Sequence, residues 1–435
     1  MSLVKNVEFL RLLPKLSAFN GLPGYGRMHS PGLQSPLVEI NDFGSNPGGL
    51  RMFAFVPEHL PRAPALVVVL HGCGQTAAGY DLGAGWSTLA ERYGFALLMP
   101  EQTASNNANT CFNWFNPEDI SRGGGEAGSI RQMIARMAGD HKIDSRRIYV
   151  TGLSAGGAMT SVMLATYPEV FAGGAVIAGL PYGVASNVRE ALSGMMASPS
   201  RPASELGDLV RSASRHNGPW PKLSVWHGSA DRTVNPANAD EIVKQWLDVH
   251  RLPLAPMSAG EVDGYPREVW WNADGETVIE SYTITDMAHG TPLGDSGHDE
   301  RFGEEGAFLI EAGISSSYHI ADFFGLTEQI HQPKTAANAT AKTTSTTTSK
   351  PASRAASEAA SKVIAKAAST GIPREHAGTI AMTVPVPAPE PDLAKVLWPR
   401  ATPVHHAKPK PEPRRRGIDV GAVITRALTA AGLMK

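Results

Sequence analysis

The chain of 435 residues has only two cysteines, Cys73 and Cys111, and no apolar run long enough to cross a membrane. A spanning helix needs roughly 20 consecutive apolar residues, so a transmembrane helix is not expected. Two cysteines also cannot supply the disulfide framework of a small secreted scaffold. They leave two readings open, a single bridge formed in an oxidising compartment or a pair of ordinary buried thiols. The N-terminus lacks the features of a usual signal peptide: Arg11 and Lys15 interrupt any apolar h-region, and no small-residue cleavage site follows. A bridge would argue for an extracellular location and the missing signal for a cytoplasmic one.

Large apolar residues become scarce after about residue 331, where Ala, Thr, Ser, Pro and Lys dominate. Such a composition cannot bury enough apolar surface to offset the entropy of ordering the chain. The near-neutral net charge conceals a split at the same place. Residues 332–435 carry 16 Lys and Arg against 6 Asp and Glu, a formal +10, leaving 23 against 35, a formal −12, on residues 1–331. The expected organisation is therefore an N-terminal extension (1–36), a catalytic-size domain (37–331), a basic low-complexity linker (332–417) and a terminal amphipathic helix (418–435). In that last segment Val420, Val423, Ile424, Ala427, Leu428 and Ala431 recur at helical spacing behind Asp419. The basic tail is either a solvated extension or an arm for an anionic surface or hydrophobic granule; nothing in it specifies nucleic acid.

Within residues 37–331, short apolar runs at 65–70, 95–99, 147–151, 174–178 and 223–226 alternate with segments of helical length at 87–92, 126–137, 158–166 and 237–249. Alternation of this kind predicts an α/β fold, a mostly parallel central sheet with helices on both faces. Residues 37–40 and 50–56, separated by a Gly, Ser, Asn and Pro cluster, read as an antiparallel hairpin at one edge, and 278–285 as the final strand. Residues 181–222 fit the alternation poorly and are expected to form an excursion, either a cap over the active-site face or a connecting loop with a helix in it.

Gly152-Leu153-Ser154-Ala155-Gly156 has the G-x-S-x-G spacing between a predicted strand and a predicted helix, the position of a nucleophile elbow. A serine hydroxyl is a weak nucleophile by itself, so a histidine base and an orienting carboxylate must follow, in this fold in the order serine, acid, histidine. Asp231 closes the loop after the 223–226 strand, with Asp286 as its substitute. His289 lies in the loop after 278–285, with His298 and His319 as competitors. Oxyanion donors are expected from the Ala155 N–H and from the Cys73 N–H in the Gly-rich loop after the 65–70 strand. His71 and His227, each at a strand end before a glycine, read as structural hydrogen-bonding residues.

Taken together, His71-Gly72-Cys73-Gly74-Gln75, Cys111-Phe112-Asn113-Trp114-Phe115, Gly124-Gly125-Glu126, the Ser154 elbow, Pro181-Tyr182-Gly183, Trp226-His227-Gly228 with Asp231, and His289-Gly290 resemble the polyhydroxybutyrate depolymerase family of esterases, a branch that includes feruloyl and acetyl-xylan esterases. The resemblance covers about residues 40–330 and implies an α/β-hydrolase fold, the triad Ser154, Asp231 and His289, an oxyanion hole from Cys73 and Ala155, and a Cys73–Cys111 disulfide. Trp114 and Phe115 are candidate substrate-binding rings, their alternative being plain packing of an aromatic loop. The expected chemistry is serine ester hydrolysis through an acyl-enzyme, without metal or organic cofactor, on hydroxybutyrate polymers or oligomers. A feruloyl or acetyl-xylan ester is the alternative substrate. A rival of another class is a non-catalytic granule- or surface-binding protein that uses the basic tail.

Overall fold

The structure, a computed structural model, describes residues 34–295 and 301–327. Most of the 1–36 extension, His298, the linker and the terminal helix lie outside the described residues. No helix among the described residues is long and apolar enough to cross a membrane.

Ten strands form one sheet: β1 (Val38–Ile40), β2 (Arg51–Phe55), β3 (Leu66–Leu70), β4 (Ala96–Glu101), β5 (Ile148–Leu153), β6 (Gly173–Ile177), β7 (Lys222–Gly228), β8 (Ser258–Val262), β9 (Tyr265–Trp271) and β10 (Thr277–Ile284), in the spatial order β1-β2-β4-β3-β5-β6-β7-β10-β9-β8. The central pairs from β4 through β10 are parallel, and the β1–β2 hairpin and the β9–β8 pair close the two edges in antiparallel fashion. The uninterrupted apolar run of β3 follows from this position. Leu66, Val68 and Leu70 enter one apolar cluster and Val67 and Val69 the other, because successive side chains of a strand point to opposite faces and helices cover both. Each such buried side chain contributes roughly 1.5–3 kcal/mol. The helices Gly125–His141, Ala155–Thr166 and Ala237–His250 supply buried residues to the first cluster, and Ala77–Ala84, Trp86–Tyr93 and Ser316–Phe323 to the second.

Three features depart from the expected layout. The β8–β9 hairpin, turned at Asp263-Gly264, is additional; its strands are largely exposed, so no apolar run marks them. The predicted final strand, now β10, is the last of the main sheet but is followed by β11 (Thr291–Leu293) and β12 (Leu309–Glu311), a separate two-stranded pair too short to carry a visible pattern. The 181–222 excursion holds two helices, Val188–Met196 and Ala203–Ser212. The second lies against the helix Ala237–His250, where Leu206 O accepts from Gln245 Nε2 at 3.0 Å and Arg211 pairs with Asp248. That half of the excursion packs against a helix of the body of the fold.

Candidate active site

Ser154 sits between β5 and the helix Ala155–Thr166 with φ 57° and ψ −116°, a backbone state that L-residues avoid and that sharp functional turns retain. Its N–H donates to Ile177 O on β6 at 2.9 Å, which fixes the turn to the sheet. The flanking glycines are required by close approach. A Cβ on Gly152 would lie 2.5 Å from the Gly156 carbonyl carbon. A Cβ on Gly156 would strike Leu70 O and lie 2.6 Å from His71 O. Only without those side chains can the elbow close and the helix start press against the end of β3.

Asp231 follows the carboxyl end of β7 and His289 that of β10, and the structure joins them. Asp231 Oδ2 accepts from His289 Nδ1 at 2.6 Å, while Asp231 Oδ1 accepts the N–H groups of Thr233 (2.8 Å) and Val234 (2.9 Å). His227 Nε2 donates to Val234 O at 3.0 Å and also approaches Asp231 Oδ2 at 3.2 Å. Burial pushes the Asp231 carboxyl up, but the hydrogen bonds from His227, His289 and Val234 outweigh it and hold the group well below the usual carboxylate range. It therefore stays ionised at neutral pH, and the stability it contributes is lost only as pH falls below that range. Gly228 allows this meeting: a Cβ there would strike Met287 O and lie 2.8 Å from Ala288 O, in the loop that carries His289. Asp286, the substitute acid, is not the partner of His289, whose Nδ1 is bonded to Asp231. Asp286 is exposed, and its N–H donates to Ser229 Oγ at 2.9 Å. His319 is engaged elsewhere, bonded to Asp263 at 2.8 Å.

On the other side of Ser154, the loop after β3 is tied down at several points. Cys73 and Cys111 form a disulfide with Cα atoms 4.2 Å apart. His71 is fully buried, donates from Nδ1 to Gly72 O (2.8 Å) and accepts at Nε2 from the Gln102 N–H (3.1 Å). Burial lowers its pKa to about 4, so it is a neutral structural imidazole. An unfolded histidine takes a proton below about pH 6.5, whereas folded His71 resists until about pH 4, so the stability due to His71 is complete above pH 6.5 and lost as pH falls toward 4. Urea unfolding of wild type and His71→Gln at pH 7 and 4.5 is expected to show the wild type losing about 2–3 kcal/mol more than the variant. Equal losses would remove His71 as the cause.

Trp114 is 7 % exposed and meets Phe115 edge-on, centroids 5.5 Å apart; both pack in the apolar cluster that contains Ala155. Trp114 is thus buried and Phe115 half-buried. Sequence reasoning missed three contributors. Gln75 accepts the Gly72 N–H at 2.8 Å and donates to Ala307 O at 3.1 Å, bracing the loop after β3 against the segment beside His289. Phe308 sets its ring edge-on to His289, centroids 5.8 Å apart. Glu126, the third, is fully buried beneath the Cys111 loop. Gln75 and Glu126 end two of the motifs noted in the sequence, but a polar residue in a motif does not disclose its partners.

Comparison with known proteins agrees with this geometry. Residues 53–261 match the family described as Esterase PHB depolymerase. Poly(3-hydroxyalkanoate) depolymerase C of Paucimonas lemoignei is 47 % identical over 291 residues, 67 % of this chain and 70 % of that protein. Feruloyl esterase B of Neurospora crassa is 32 % identical over 63 % of this chain and 94 % of its own length. Among solved structures, an acetyl xylan esterase from Aspergillus awamori aligns with a TM-score of 0.57 at 25 % identity, over 67 % of this chain and 99 % of that one. The fold, the ordered elbow and these relatives together place the chain in the PHB depolymerase family of esterases, as a serine carboxylic-ester hydrolase of the α/β-hydrolase type.

Proposed function

We propose that Ser154, Asp231 and His289 are the catalytic triad, that the Cys73 and Ala155 N–H groups form the oxyanion hole, and that the substrate is an ester of a short hydroxy acid, such as 3-hydroxybutyrate oligomer or polymer. The observation that carries the reading is the 2.6 Å bond from His289 Nδ1 to Asp231, set on loops at the same carboxyl-end side of the sheet as the strained Ser154. With Nδ1–H held by an ionised carboxylate, Nε2 of His289 is free to accept a proton. Ser154 Oγ attacks the ester carbonyl carbon while Nε2 takes its proton, and the carbonyl oxygen becomes an oxyanion. His289 returns the proton to the departing alcohol. Water then repeats the sequence on the acyl-enzyme. Support for the oxyanion assignment comes from two unused donors: among the described residues, neither the Cys73 nor the Ala155 N–H has a protein acceptor. In this reading Trp114 and Phe115 are the substrate-binding rings, supported by their packing in the cluster that contains Ala155.

The hydroxyalkanoate substrate is supported by the 47 % identical depolymerase, and a feruloyl or acetyl-xylan ester by the relatives of those names. Turnover of purified enzyme on 3-hydroxybutyrate oligomers, methyl ferulate and acetylated xylan separates them. The expected order has hydroxybutyrate oligomers first by at least tenfold in kcat/KM; a feruloyl or acetyl-xylan preference would reverse the assignment. The basic composition of residues 332–435 supports a role as an adhesive arm. Chains with and without those residues should hydrolyse soluble esters equally, with only the full chain retained on polyhydroxybutyrate granules. Equal retention would refute the arm.

A further inference from the structure

The polar groups beneath the Cys111 loop converge on one carboxyl. Glu126, in the first turn of the helix Gly125–His141, has no solvent exposure. Its Oε1 accepts from Gln102 Nε2 (2.6 Å), Asn113 Nδ2 (2.7 Å) and Asn106 Nδ2 (3.2 Å), and its Oε2 accepts the Asn113 N–H at 2.8 Å. Burial pushes this carboxyl up to about 8, with Asp119 adding to the push, and the donors from Asn113 and Gln102 pull the other way. Four N–H donors aimed at two oxygens hold this carboxyl entirely as an acceptor; an amide there would set donor against donor.

Two routes lead from this carboxyl to Cys73. Gln102 donates through Nε2 to both Glu126 and Cys111 O, while its own backbone N–H donates to His71 Nε2, two residues before Cys73. Asn113, held at two points by Glu126, accepts from Asn107 Nδ2. Asn107 in turn accepts the Cys111 N–H, and Cys111 is bonded to Cys73. Neither route touches Ser154, Asp231 or His289.

We propose that Glu126 is a positioning residue for acyl transfer, holding Gln102 and Asn113 so that His71 and the Cys111–Cys73 bridge fix the Cys73 N–H where the oxyanion forms. The proposal rests on the reading of Cys73 as an oxyanion donor. A donor displaced by a fraction of an ångström loses the transition state while leaving ground-state ester binding nearly unchanged.

The test uses the full chain. Glu126→Gln keeps the shape and turns one acceptor into a donor. For p-nitrophenyl butyrate, kcat per active site should fall about 10- to 100-fold with KM within about twofold. The inhibition constant of a trifluoromethyl ketone, which forms an oxyanion adduct on the serine, should rise by a factor similar to the fall in kcat/KM. Sites are counted by titration with a fluorophosphonate, so misfolded molecules do not enter the comparison. Normal turnover per titrated site with unchanged ketone inhibition would overturn the proposal and leave Glu126 a purely structural carboxyl. Where Glu126→Gln does not fold, Asn113→Ala, which keeps the Glu126 carboxyl and removes one link, is expected to lower kcat per site about tenfold, and an unchanged kcat would be equally contrary. Failure of the underlying reading looks different: in a crystal structure of the wild-type trifluoromethyl ketone adduct, the hemiketal oxygen would then lie out of hydrogen-bond reach of the Cys73 N–H.

Discussion

Replacing Ser154 with alanine is expected to lower kcat for p-nitrophenyl butyrate by roughly 10⁴- to 10⁶-fold, the range found when a triad nucleophile is removed and only binding and oxyanion stabilisation remain. The structure gives the reason for a loss so large. The Ser154 backbone is held at a left-handed φ by the Ile177 carbonyl and by two glycines packed against the end of β3, so no neighbouring hydroxyl can replace its Oγ at the turn. Alanine tolerates that φ no worse than serine, and Ser154 has no side-chain capping bond to lose. Thermal unfolding should therefore be nearly unchanged, and turnover should vanish in a folded protein. Retention of more than about 1 % of wild-type kcat would remove Ser154 as nucleophile.

Asp231→Asn is expected to lower kcat by about 10⁴-fold, the size seen when a triad carboxylate becomes an amide. The local hydrogen bonds dictate the outcome. Asp231 Oδ1 accepts two backbone N–H groups, from Thr233 and Val234, so the single oxygen of an amide would remain there and its NH₂ would take the place of Oδ2. That NH₂ would donate to His289 Nδ1, which must then become an acceptor, and the ring proton would move to Nε2, the atom that has to receive the Ser154 proton. The variant would hold a well-placed histidine in the wrong tautomer. His227 retains Val234 O as a partner, so folding should survive. Substrate binding, read as KM, should move little. A loss below about tenfold would show that Asp231 does not orient the base.

The sheet was legible because its strands are buried on both faces, and the continuous apolar runs at β3 through β7 can hardly be read otherwise. The exposed β8 and β9 lacked that signal, although Asp263-Gly264 between them is a recognised turn pair. The two short strands after β10 are three residues each and carry no period. Within the site, chain order and strand ends pointed to Asp231 before Asp286 and to His289 before His319, and the structure brings those two side chains within 2.6 Å, since the fold delivers loops to the carboxyl ends of the strands in a known order. Partnerships formed between distant segments were not legible from residue types. The link from Gln75 to Ala307 spans 232 positions, and the set of donors around Glu126 is visible only once the loops are folded together. His227 was read as a structural hydrogen-bonding residue, and it donates to Val234 O. Its contact with Asp231, four residues on, also ties it to the acid's electrostatics.

The most direct test of the account is to trap the covalent intermediate and locate it. Wild-type enzyme treated with a p-nitrophenyl phosphonate should release one equivalent of p-nitrophenol, and a peptide map should place the phosphonyl group on Ser154. Labelling of another residue, or continued ester hydrolysis by fully labelled enzyme, would contradict the assignment of Ser154 as the nucleophile.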